Sequence, residues 1–205
     1  MVSVLRFVDI AARSEGGAPD AELARVLGYE ALAVEGLKRY ECVGRVTLVP
    51  RHTFTLDTLS RVPRGNVLRV FRADSRARLK LTNRVVALAH AVEVGGELLG
   101  RLGRKDLRKL VNTIPHVIVR ADEVYLRLTM AKSLEGLDRL LRAYEAGKIV
   151  LSIGSGNDYA ARTGLKHGVV LAALLVTFGL SEAKALASVT SNPKELLRCA
   201  GYAVK

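Results

Sequence analysis

The chain has no tryptophan, no glutamine, two cysteines and fewer acids than bases. Each shortage excludes something. Cys42 and Cys199 stand far apart and outside any CxxC pattern, which argues against a disulfide framework or a zinc ribbon and fits a reducing, cytoplasmic setting. The four histidines are His52, His90, His116 and His167, and none is spaced as HxH, HxxxH or HExxH, so no metal ligand set is expected. The first strand offers Asp9 as its one acid, and a single carboxylate without imidazole partners makes a poor divalent site. There is no GxSxG motif, and neither cysteine has a recognisable acid–base partner, so no catalytic residue is assigned. Aromatic side chains are 5% of the total and follow no RNP-like or OB-like pattern, which argues against base stacking. The longest apolar stretch, residues 169–176, is too short to span a bilayer, and MVSVLRFVDI reads as a short strand rather than a secretory leader; no membrane role is expected.

What the chain does have is positive charge and apolar residues. Its 205 residues carry 32 Lys and Arg against 20 Asp and Glu, a formal net charge of +12, and 49% are hydrophobic. That length and apolar content suit one folded domain, 1–205, with a real core. A surplus of that size on a compact body attracts polyanions, nucleic acid first among them. Avoidance of amides beside abundant Arg and Glu is also a thermophile pattern.

Short β-branched runs alternate with helical patterns. The runs at 4–9, 31–35, 45–49, 67–71, 85–88, 117–120 and 149–153 read as strands, several continuously apolar as parallel strands covered on both faces would be. Helices are expected from Pro19 and Asp20 to Leu27 with Gly28 closing, from Asp74 or Ser75 through Leu81, over 134–146 after Ser133 with Gly147 closing, and over 182–188 after Ser181. Asn192, Pro193 and Glu195 spell a capping box. Residues 124–130 are ambiguous, and Gly95–Gly96 reads as a simple connector. Seven or eight strand–helix units without a composition break predict an α/β fold, a compact TIM-like (β/α) barrel, with a doubly wound open sheet as the alternative.

Two features point to chemistry. One is a Gly/Ser turn after the last strand: Ser152, Gly154, Ser155, Gly156 and Asn157 could converge donors on an anion, with Arg162 and Lys166 close behind. It is neither GxGxxG nor a P-loop, and an ordinary strand-to-helix connection fits it equally well. The other is clustered base. Arg72, Arg76, Arg78, Lys80 and Arg84 follow one another through the middle of the chain, and Arg101, Arg104, Lys105, Arg108 and Lys109 form a second group. In that group Leu107, Leu110 and Val111 would face inward and the cations outward, where they repel one another unless phosphates compensate.

From residue 126 to 197 the chain resembles the ribonuclease P protein component 3 family, the 30-kDa archaeal and eukaryotic proteins. The residues that carry this are helix 134–146, the strand and turn 149–156, Arg162-Thr163-Gly164, the apolar helix 169–178, Gly179-Leu180, Ala183-Lys184-Ala185 and Asn192-Pro193. Phe7-Val8-Asp9 and residues 67–74 look like the family's opening and its basic middle. Gly164 stands where the family often has proline, and residues 93–111 are compressed, as in a shortened, divergent archaeal member. The resemblance implies a PHP-like barrel related to metal-dependent phosphoesterases but without their ligands. It also implies an RNA-binding subunit of an endoribonuclease that removes 5′ leaders from precursor tRNA. There the magnesium-dependent chemistry belongs to the ribonuclease P RNA, and the partners are that RNA, precursor tRNA through the holoenzyme, and protein component 2. No cofactor is expected in the chain itself. The alternatives are a divergent metal-dependent phosphoesterase built on Asp9, or a barrel enzyme that binds a small phosphorylated metabolite at the Gly/Ser turn.

Overall fold

A computed structural model describes residues 6–12, 21–156 and 165–204. In chain order the elements are β1 (Phe7–Ala12), α1 (Ala21–Val26), β2 (Tyr29–Glu35), β3 (Glu41–Val43), β4 (Val46–Phe54), β5 (Leu68–Ala73), α2 (Asn83–Leu88), β6 (Ala91–Val94), α3 (Gly96–Arg101), α4 (Arg104–Thr113), β7 (His116–Arg120), α5 (Ala121–Thr129), α6 (Glu135–Glu145), β8 (Val150–Gly154), α7 (Leu165–Thr177), α8 (Glu182–Val189) and α9 (Ser191–Cys199). Seven strands run parallel in the order β1-β2-β4-β5-β6-β7-β8, and β3 folds back antiparallel on β4. The sheet curls into a nearly closed barrel. At its seam the backbone N–H of Ser155, just after β8, donates to Asp9 on β1 at 3.1 Å. A TIM-like barrel is therefore the architecture, and all seven parallel strands end on one face.

Alternation along each strand divides the core in two. Val8, Ile10, Ala31, Ala33, Val49, Leu68, Val70, Ala91 and Ile118 fill the barrel interior. Alanines at three of these positions suit a bore narrower than one lined wholly by branched side chains. The opposite strand faces, with Val92, Val94, Val117, Val119, Leu151 and Ile153, pack against the surrounding helices. The end where the strands begin is plugged by Leu196, Leu197, Ala200, Tyr202 and Val204. The Tyr202 hydroxyl donates to the Asn66 carbonyl just ahead of β5, and Lys194 Nζ lies 3.0 Å from Glu30 on β2, so the plug is also held by polar contacts.

Most expected elements form, with shifted ends, and four expectations need correction. Residues 85–88 lie in α2, not a strand: Thr82 caps that helix by accepting from the Val85 N–H at 3.3 Å, and the strand comes three residues later as β6. A short apolar run suits either state, and the cap decides it. The helix expected through Leu81 is a single turn closed by Arg78 and Leu79 N–H groups donating to Ser75 at 3.1 Å, too short to propagate. Asn192 does not cap α9, which begins at Ser191; its amide donates instead to Tyr144 Oη at 2.6 Å and the Leu151 carbonyl at 2.7 Å, tying α9 to α6 and β8. Gly95–Gly96 opens helix α3 rather than merely connecting, and the Gly96 N–H donates to Glu123 at 2.7 Å. The ambiguous residues 124–130 are mostly helical, in α5. Among the described residues no helix is long and apolar enough to cross a membrane.

Helices α3 and α6 cross at Gly136, where a Cβ would overlap the Leu98 carbonyl and stand 2.8 Å from Leu102 N. Those neighbours are backbone and cannot rotate away. Gly136→Ala is expected to cost about 1–3 kcal/mol, the usual penalty of an overpacked interior. Urea unfolding measures it, and an unchanged midpoint would show that the two helices are free to separate.

Candidate functional site

Above the apolar interior, inward positions toward the carboxyl ends of four neighbouring strands carry charge: Arg51 on β4, Arg72 on β5, Glu93 on β6 and Arg120 on β7. Strand alternation aims all four into the barrel, and Glu93 at their centre is fully buried. Its Oε2 accepts from Arg51 Nη2, its Oε1 accepts from Arg72 Nη1 at 2.6 Å, and Arg120 Nη1 lies 3.7 Å away. Burial by itself would raise the Glu93 pKa, but Arg51, Arg120 and Arg72 outweigh it and bring it from 4.5 down to about 2.

The network reaches outward from there. Arg51 Nη1 donates to the Ile10 carbonyl at 2.7 Å, which fastens β4 across the bore to β1. Glu35, 3.7 Å from Arg51 Nε, accepts from the Thr53 N–H at 2.9 Å. Arg72 Nη2 donates to Glu123 at 2.5 Å, and Arg120 Nε donates to Asp122 at 3.0 Å. Both acids begin α5, so the helix entry is fixed to the barrel rim. Over this floor opens a cleft of about 1080 Å³ whose outer wall includes Arg101, Leu126, Arg127, Met130 and Lys132. Its place, at the carboxyl ends of parallel strands, is where barrels take ligands. Among the described residues no group of three or more His, Cys, Asp or Glu is placed to hold a metal ion.

The Gly/Ser turn is built differently from the expected anion cradle. Ser152 and Ser155 are buried, and the Ser155 N–H goes to Asp9. Gly156 lies so close to Asp122 that a Cβ there would overlap the carboxylate. Two of the protein's own carboxylates, Asp9 and Asp122, thus lie against Ser155 and Gly156. Asn157 and Arg162 lie outside the described residues, and Lys166 falls in the first turn of α7. Asp9 itself sits between Val8 and Ile10, two residues of the barrel interior, and near Tyr29, whose phenol is pushed up by burial and then by Asp9.

The two basic groups separate. Arg72 joins the interior network, half-buried at the floor of the cleft. Arg76, Arg78, Lys80 and Arg84 are exposed. Arg76 reaches the junction of α3 and α4, donating to the Arg101 carbonyl at 3.2 Å and lying 3.5 Å from Asp106, while Arg78 lies 3.5 Å from Asp74. Along α4 the expected sidedness holds: Leu110 is buried, Leu107 and Val111 pack on the core, and Arg104, Lys105, Arg108 and Lys109 are exposed. The acid on that helix, Asp106, is engaged by Arg76, and among the described residues no carboxylate pairs with the four cations of the outer face. Arg51, Glu93, Arg120 and Glu123 were not among the expected site residues. For Arg51, Glu93 and Arg120 the signal was a lone charge in an otherwise apolar run, in LVPR, AVEV and VIVR. No protein-family profile matches the chain, and no curated protein matches its sequence.

Glu93→Gln keeps the shape of the side chain and leaves Arg51 and Arg120 buried without their central counter-charge. The expected loss is about 3–5 kcal/mol, as for other broken buried ion pairs, and urea unfolding at neutral pH measures it. Because the folded pKa of Glu93 lies below the unfolded one, its contribution is present above pH 4.5 and lost as pH falls toward 2. His90, lowered from 6.5 to about 4 by burial and by Arg69, adds a contribution lost between those values. Acid titration of stability is therefore expected to show both windows in the parent chain and only the upper one in Glu93→Gln. A retained lower window would assign it to other groups.

Proposed function

We propose that this chain is an RNA-binding protein subunit of ribonuclease P, similar to protein component 3, which supports the catalytic RNA in removing 5′ leaders from precursor tRNA. The observation that carries the reading is the outer face of α4, where four exposed cations lie over an apolar inner face and their nearest acid is engaged elsewhere. Such a face is relieved by phosphates, and counterion release makes the binding strongly salt-dependent. The resemblance of residues 126–197 supplies the particular RNA. The interior of the barrel mouth is consistent with a scaffold role, because its carboxylates are engaged by arginines of the same chain. In this reading magnesium acts on the RNA subunit, and the chain's partners are ribonuclease P RNA, precursor tRNA through the holoenzyme, and protein component 2. The PHP-like ancestry and a cytoplasmic location belong to the same proposal.

Filter binding to a ribonuclease P RNA transcript is expected to weaken steeply between 50 and 200 mM salt. Reversing charge at Arg104, Lys105, Arg108 and Lys109 together is expected to weaken binding at least tenfold and to reduce the log–log salt slope by about 4, one per lost phosphate contact. Unchanged binding would remove α4 from the interface. Cleavage of precursor tRNA by the protein alone, without RNA subunit, would overturn the reading.

A further inference from the structure

Away from the barrel mouth, α4 and α6 flank a second cleft of about 540 Å³, lined by Arg104 and Leu107 on one side and by Asp138, Arg139, Arg142 and Lys148 on the other. Its walls are organised. Arg142 is held against Asp138, with Nε donating to Oδ1 at 3.1 Å and Nη2 3.0 Å from Oδ2, which leaves Nη1 for another acceptor. Arg139 is pinned by Glu135 and donates to the Leu102 carbonyl at 2.6 Å. These two pairs engage both acids of the lining. Arg104 and Lys148 are exposed, and among the described residues neither has a carboxylate within ion-pair distance. Arg108 stands one turn beyond Arg104 on the same helix.

The lining thus holds four cations, Arg104, Arg139, Arg142 and Lys148, against two acids, Glu135 and Asp138. Among the described residues it includes no aromatic ring, so it offers charge without a stacking platform. Guanidinium groups held by carboxylates keep their forks oriented, which favours phosphate over a diffuse counterion. We infer that the cleft grips a phosphodiester backbone running from the outer face of α4 across to Arg142 and Lys148. The inference rests on the RNA-binding reading and adds a place and a manner of contact: backbone-directed, and indifferent to base identity.

The test uses the full chain and a ribonuclease P RNA transcript in filter binding over a salt series. Arg142→Ala/Lys148→Ala removes two exposed cations, and an unchanged thermal midpoint checks that the fold is kept. The expected result is binding about tenfold weaker at 0.1 M salt and a salt slope smaller by about 2, with Lys148→Arg binding like the parent. Lys38→Ala/Arg45→Ala removes the same charge from exposed positions of the β2–β4 region, and little change is expected. Full binding by Arg142→Ala/Lys148→Ala, alongside loss in the α4 reversal, overturns the cleft and leaves the RNA reading standing. An equal loss in Lys38→Ala/Arg45→Ala also overturns it, reducing the effect to net charge. A parent chain that does not bind RNA overturns both.

Discussion

Everything at the top of this barrel is arranged around one buried carboxylate. Glu93 is sealed from water, and a lone ion there would be intolerable. Three guanidinium groups from three other strands make it tolerable, and in doing so fix those strands relative to one another. Arg51 extends the constraint to β1 through the Ile10 carbonyl, and Arg72 extends it through Glu123 to both α5 and the start of α3. A buried ion network is a weak source of net stability but a strict source of register. A one-residue slip of β6 would turn Glu93 toward the helices and put Val92 or Val94 among arginines.

The chain's positive charge is of two kinds with different physics. Arg51 and Arg120 are buried, Arg72 is half-buried, and all three are matched by carboxylates at close range, so salt screens them little. Arg104, Lys105, Arg108 and Lys109 are exposed and, among the described residues, form no ion pair, so their field reaches outward and salt screens it. Composition alone adds both kinds into a single +12. The second kind has a field that reaches solvent, and Arg72, paired with Glu93 and Glu123, belongs with the first.

How much of this could be read from residues depended on the range of the determining interaction. The alternation of strand and helix was legible because buried strands are apolar along their length, and α4 was legible because Leu107, Leu110 and Val111 recur at helical spacing. Residues 85–88 were not, because four apolar residues carry no period and Thr82, three positions upstream, chose the helix. The apparent capping box failed for a similar reason: Asn192 found two partners more than forty residues away in sequence. The interior network was least legible. Arg51 and Glu93 are 42 positions apart, on strands that flank β5, and only assembly of the sheet brings them together. The anion turn reads plausibly from its glycines, yet the decisive neighbour of Ser155 is Asp9, 146 residues earlier.

The plug at the amino ends of the strands has a consequence for how the molecule comes into being. Residues 196–204 follow all seven parallel strands, yet they seal the layer formed by Leu68, Ala91 and Ile118. During synthesis the barrel lining therefore stays wet at that end until the plug emerges. Vectorial folding can assemble the outer shell early, but water expulsion at that end waits on α9 and the residues up to Val204. A ribosome that stalls before α9 would hold a shell without a sealed centre, open to any chaperone that recognises exposed apolar surface.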